Sequence, residues 1–152
     1  TADQEFLWME RHVIRRFLDR GRVVVWSGQL SRPWLPACGL FVPKRIRSVR
    51  DFEVHLVAPH PVFEGVDGRD LTFRRGVAGF FARGHNPPPP GVQVLACLGE
   101  DEPVVYVDST TTAGTILAHS GTDLVGFADD DSTASRVVPQ LLAWIEQEGG
   151  RP

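Results

Sequence analysis

Residues 108–112 read Asp108-Ser109-Thr110-Thr111-Thr112, with His119 and Asp123 shortly after. A serine hydroxyl becomes a nucleophile when an imidazole takes its proton and a carboxylate orients that imidazole. Asp108, Ser109, His119 and Asp123 are thus the residues from which a small hydrolase or nuclease would be assembled. The expected Gly-x-Ser-x-Gly elbow is absent, and a polar turn between two strands accounts for the segment without chemistry. The other histidines are His12, His55, His60 and His85, no two of them four apart on a helix, and there is no Cys-x-x-Cys. A zinc site would have to be gathered from distant loops. The acidic run 129–131 lacks the alternation, glycine and final glutamate of a calcium loop, and reads as a helix-capping segment. Asp51 and Glu53 lack the Glu-x-Lys companion of a metal-dependent nuclease strand. No cofactor motif is visible.

Recognition has stronger candidates than catalysis. Lys44-Arg45-Ile46-Arg47-Ser48-Val49-Arg50 is a basic stretch. If extended, it would point Arg45 and Arg47 the same way. Trp26 and Trp34 precede it, and Trp and Arg are enriched among residues that dominate binding energy. Trp26, Trp34, Arg45, Arg47 and Arg50 are therefore the expected partner-binding set. The bland alternative is a solvated loop paired with acids from the second half of the chain.

Charge is unevenly divided. Residues 1–83 hold 14 basic and 9 acidic side chains, net +5, while 84–152 hold 2 and 10, net −8. The total of −3 conceals this split. Such asymmetry suits electrostatically guided recognition of a partner with an acidic patch. The mildly acidic total speaks against a dedicated nucleic-acid binder. Fifteen arginines against one lysine suggest a GC-rich, bacterial coding sequence, a reason not to over-read each arginine.

These side chains need a frame. At 152 residues and 42% hydrophobic, the chain fits one globular domain, 1–152, with a real core. Residues 3–20 predict a helix capped by Asp3, with Phe6, Leu7, Val13, Ile14, Phe17 and Leu18 on one face and Gly21 as the stop. Short strands are expected at 22–26, 38–42, 52–57, 92–98, 104–107, 115–118 and 124–127. The pair 92–98 and 104–107 should form a hairpin. Residues 70–83 read either as a helix capped by Asp70 or as a short strand before a helix at 76–83. The prolines at 87–90 must be extended. A last helix follows residues 129–132, with Pro139 either kinking it or starting it. Cys38 and Cys97 sit in apolar runs and read as small buried hydrophobes. The order predicts an α+β fold: a mostly antiparallel sheet of six to seven short strands, N- and C-terminal helices, and one middle helix.

The order of elements and the mild acidity resemble those of small bacterial secretion chaperones and toxin-neutralising immunity proteins, a likeness of architecture only. It implies a non-catalytic, protein-binding domain, and a homodimer is left open. No stretch reaches the length of a membrane span and no leader is visible, so a cytoplasmic protein is expected. The absence of an initial Met also permits one domain of a longer protein.

Overall fold

The structure is a computed structural model and describes residues 3–150. It is α+β with a mostly antiparallel sheet, as the order of elements predicts, and one parallel pair makes the central sheet mixed. The central sheet has five strands: β1 (Val23–Ser27), β3 (Val54–Leu56), β7 (Gln93–Leu98), β8 (Glu102–Asp108) and β9 (Thr115–His119), in the order β1-β9-β8-β7-β3. β1 runs parallel to β9, and the other pairs are antiparallel. Two small ladders lie outside it: β2 (Val42–Pro43) with β6 (Gly84–His85), and β4 (Phe73–Arg74) with β5 (Val77–Ala78).

β8 shows why the fold has layers. Val105 and Val107 enter one apolar cluster while Tyr106 enters another, as the two-residue period of a strand requires. The first cluster is closed by helix α4 (Val137–Gly149), through Val137, Leu141 and Trp144, and by the 3-10 turns Pro61–Phe63 and Leu124–Phe127. The second is closed by helices α1 (Gln4–Met9) and α2 (Arg11–Leu18) together with Leu30, Trp34 and Leu35 from the following loop. One short helix, α3 (Gly68–Thr72), flanks β3.

Several expectations need correction. The single helix over 3–20 is two, broken at Glu10, whose φ of −90° and ψ of 10° leave the helical region. Asp3 does cap it, accepting from the N–H groups of Glu5 and Phe6. Only part of its apolar face is inward: Leu18 is buried and Leu7 and Ile14 pack beside it, whereas Phe6, Val13 and Phe17 are exposed. The strand at 38–42 shrinks to β2, because the main chain there bonds to other loops, Phe41 N–H to Leu30 C=O and Gly39 N–H to Pro87 C=O. Phe52 belongs to a 3-10 turn, Val49–Phe52, ahead of β3.

The helix foreseen within 70–83 stops at Thr72, and its cap is Asp67. The next residues form the β4–β5 hairpin, turned by Arg75 and Gly76 at φ of 51° and 78°. Two successive left-handed residues define the tight hairpin turn and are incompatible with a helix. Residues 124–127 are a 3-10 turn and not a strand, nucleated by the Asp123 carboxylate accepting from Val125 N–H. Pro139 does not start α4, which begins at Val137. It is the third residue of the helix, where its missing N–H would have had no intrahelical partner.

The loop closing the second cluster has no ladder of its own, and buried Asn86 supplies the missing bonds. Its side chain accepts from Leu30 N–H at 3.1 Å and donates to Gly28 C=O at 2.8 Å, and its backbone N–H donates to Ser120 Oγ at 2.8 Å. Removing that side chain strands the buried Leu30 N–H, while Gly28 C=O keeps Trp26 Nε1 as a donor. Asn86→Ala is expected to lower stability by roughly 1–3 kcal/mol, read as a fall in the urea midpoint at unchanged m-value.

Candidate functional site

The proposed Ser/His/Asp set does not come together. Asp108 and Ile116 are register partners across β8 and β9, and so are Val105 and His119. Ser109, just past Asp108, therefore sits at one end of this hairpin and His119 near the other, roughly 13 Å along the strand at about 3.3–3.4 Å per residue. Ser109 is exposed. Asp108 is buried, and Oδ1 accepts from the backbone N–H groups of Thr110 and Thr111 and from Thr110 Oγ1, at 2.9–3.0 Å. Burial pushes its carboxyl up, but donors from Thr111 and Thr110 together outweigh this and hold it below the ordinary carboxylate value. Asp108 thus organises the turn after β8. Asp123 is exposed and caps the 124–127 turn.

His119 is fully buried, its ring 4.4 Å from that of Phe81. Neither ring nitrogen reaches a partner at good hydrogen-bond geometry. Burial drives its pKa down to about 4, with backbone groups of Phe81 and Thr122 offsetting part of the shift. It is a neutral core residue.

The two cysteines are free and buried. Tyr106 donates to Cys38 Sγ at 2.6 Å. Burial raises the Cys38 thiol to about 11 and burial likewise raises the Tyr106 phenol, so neither is a nucleophile at neutral pH. Among the described residues, no group of three or more His, Cys, Asp or Glu side chains could hold a metal ion. No helix among them is long and apolar enough to cross a membrane.

The expected partner-binding set divides in two. Arg45, Arg47 and Arg50 are exposed and make no ion pair among the described residues. Their loop is shaped by Asp51, whose Oδ2 accepts from the N–H groups of Arg47 and Ser48 at 2.7 Å. Those bonds hold the Asp51 carboxyl below its ordinary value. The tryptophans are elsewhere. Trp34 is 5% exposed and meets Trp26 edge-to-face, with ring centroids 4.9 Å apart. Trp34 belongs to the second core cluster and half-buried Trp26 packs against it, so Trp34 offers no surface anchor beside the arginines. Lys44 alone of the stretch reaches the acidic half, pairing with Glu102 at 2.9 Å.

Two surfaces not foreseen are the better candidates. The first is a cleft of about 1060 Å³ beyond the carboxyl ends of β1 and β9, lined by Trp26, Ser27, Leu40, Phe41, Phe80, Arg83, Thr122 and Asp123. Clefts at that end of parallel strands are common ligand sites. Its floor is tight: a Cβ on Gly121 would fall 1.7 Å from Phe81 C=O, so only glycine lets the two loops meet. The second is the outer face of α1 and α2. Phe6 (55%), Met9 (57%), Val13 (42%) and Phe17 (46%) are exposed there, and Trp8 is exposed on the other side of α1. Arg11, Arg15, Arg16 and Arg20 are exposed on the same helical unit. Arg11 stacks over Trp8 at 4.6 Å, and Arg15 pairs with Asp19 at 3.0 Å.

The sequence held a signal for this face. Phe6-Leu7, Val13-Ile14 and Phe17-Leu18 are doublets at helical spacing. The second member of each packs inward and the first is left over. The helices carry an apolar arc wider than one-sided packing needs.

The chain matches no family model, no curated protein and no solved structure. The fold and these surfaces define it only as an α+β domain with a five-stranded mixed sheet.

The buried imidazole has a consequence for acid stability. Its folded pKa of about 4 lies below the ordinary 6.5. Between those values the unfolded chain binds a proton that the folded chain refuses. The contribution is complete above pH 6.5 and lost as pH falls toward 4, amounting to about 3 kcal/mol. Urea unfolding at pH 7.5 and 4.5 should show this loss, and His119→Gln should remove most of the difference.

Proposed function

We propose that this chain is a protein-recognition domain whose partner seats on the apolar, arginine-bordered face of α1 and α2. One observation carries the reading: Phe6, Met9, Val13 and Phe17, large apolar side chains at spacings of three and four, stand exposed on two short helices. Isolated exposed hydrophobes are ordinary, but contiguous ones rimmed by polar groups mark interaction sites. Phe, Met and Arg are among the types enriched at such interfaces. An amphipathic helix meets a partner through positions three and four apart, as Phe6, Met9, Val13 and Phe17 are spaced.

Phe17 and Phe6 are the expected anchors, with the arginines guiding approach to an acidic surface. The loop arginines Arg45, Arg47 and Arg50 contribute to long-range steering only. Because rim charges chiefly affect association rate, they matter most at low salt.

The second reading, a small enzyme, is favoured by the cleft beyond β1 and β9, which gathers Ser27, Arg83 and Asp123 between apolar walls. It no longer draws on Ser109, which the hairpin register separates from His119.

Affinity capture from the native host, quantified by mass spectrometry, separates these cases. A stoichiometric partner should be retained by the wild type. Phe17→Asp should reduce its capture at least tenfold, and the triple variant Arg45→Ala, Arg47→Ala, Arg50→Ala should reduce it mainly at low salt. Capture indifferent to Phe17→Asp would sink the helix-face reading.

A further inference from the structure

β1 lies at the edge of the sheet but has the composition of an interior strand. Val23 and Val25 pack against one core cluster, and Val24 and Trp26 against the other. The segment Val23–Ser27 contains no charge and no proline. Strands buried on both faces read this way, whereas edge strands are usually short, charged, interrupted or covered. The opposite edge obeys that rule: β3 has three residues, carries exposed His55, and is flanked by Glu53 and Pro59.

The direction of the backbone groups can be read from the ladder. Arg22 C=O accepts from Thr115 N–H at 3.1 Å, and Gly28 N–H donates to His119 C=O at 2.9 Å. In a strand, alternate residues turn their N–H and C=O groups to opposite sides. Arg22, Val24, Trp26 and Gly28 therefore face β9, and Val23, Val25 and Ser27 face away. No described residue hydrogen-bonds to the backbone groups of those three.

We propose that a second copy of this chain pairs with β1, antiparallel about a two-fold axis at Val25, joining two five-stranded sheets into one. The edge is complementary to itself. Val25 meets Val25, and Val23 meets Ser27 in both directions. Each of these pairs exchanges both of its backbone hydrogen bonds, using the groups now turned outward. The intervening pair places Val24 opposite Trp26, a β-branched residue against an aromatic one, which is a favourable cross-strand combination. No like charges meet, since Arg22 falls opposite Gly28. A two-fold, isologous contact is also the commonest way identical chains close an assembly. The inference goes beyond the helix-face reading and does not depend on it.

Light scattering after size exclusion, over a concentration series, tests the pairing. The wild type should run at twice the monomer mass, and Val25→Pro should halve it. Proline there removes an N–H that the folded monomer does not use, a position where edge strands tolerate it. Circular dichroism and the urea midpoint of the diluted variant check that the fold survives. Should Val25→Pro fail to fold, amide exchange on the wild type decides the matter. The Val23 and Val25 amides should become slower with rising concentration, while Val24, bonded to β9, should not change. A wild type that stays monomeric throughout overturns the proposal, even if it accepts an added strand peptide. So does a dimer that persists in folded Val25→Pro. Phe17→Asp should leave the dimer intact, so loss of heterologous capture and loss of dimerisation remain separate results.

Discussion

Both faces of the five-stranded sheet must be kept from water, and the rest of the structure follows from how this chain meets that demand. β8 and β9 alternate apolar side chains to either side, Val105, Val107 and Leu117 one way, Tyr106, Ile116 and Ala118 the other. One face is covered conventionally, by α4 and three-residue or four-residue 3-10 turns. For the other the chain has only two short helices, so the loop after β1 must serve as wall. A loop brings no internal ladder, and buried backbone groups without partners are costly. Asn86 is the answer to that cost, tying Gly28 and Leu30 to the turn after β9.

The same economy explains where candidate surfaces occur. The same loop runs on past the strand ends, where Leu30, Leu40 and Phe41 line one side of the cleft and Phe80 and Arg83 the other. The helices that complete the cover are apolar over a broader arc than the sheet can use, so their outer face is left to solvent. β1, apolar on both sides, is paired on one side only. Three unfilled surfaces thus have one origin: a sheet whose covering layers are just sufficient for its middle.

Electrostatics shape details and not the architecture. The split between a basic first part and an acidic second part produces few cross-pairs among the described residues. Lys44 meets Glu102, and Arg74 meets Asp130 at 2.9 Å. Most arginines remain in solvent. Exposed pairs contribute little to stability, while an unpaired basic surface still acts at a distance on an approaching partner. Local polar chemistry matters more: Asp3, Asp51, Asp67, Asp108 and Asp123 each accept backbone N–H groups and set a helix start or a turn.

What the sequence determined by itself was local: the α+β class, the 93–108 hairpin around Gly99, the Asp3 cap, the Gly21 stop and the apolar burial of Cys38 and Cys97. Each depends on periodicity or on a side chain bonding to its own neighbourhood. Its failures were also local in origin. The 124–127 segment has strand composition, but Asp123 caps it into a 3-10 turn. Residues 76–83 have apolar residues at helical spacing, but two left-handed residues make a hairpin instead. Tertiary structure alone decided what meets what. Pairing β8 with β9 in the observed register separated Ser109 from His119 and buried the imidazole. Packing of the second cluster took Trp34 from the surface, and parallel pairing of β1 with β9 placed the cleft and the open edge. Register, strand order and which of two apolar stripes turns inward depend on contacts between residues far apart in the chain, and spacing along one sequence does not encode those distances.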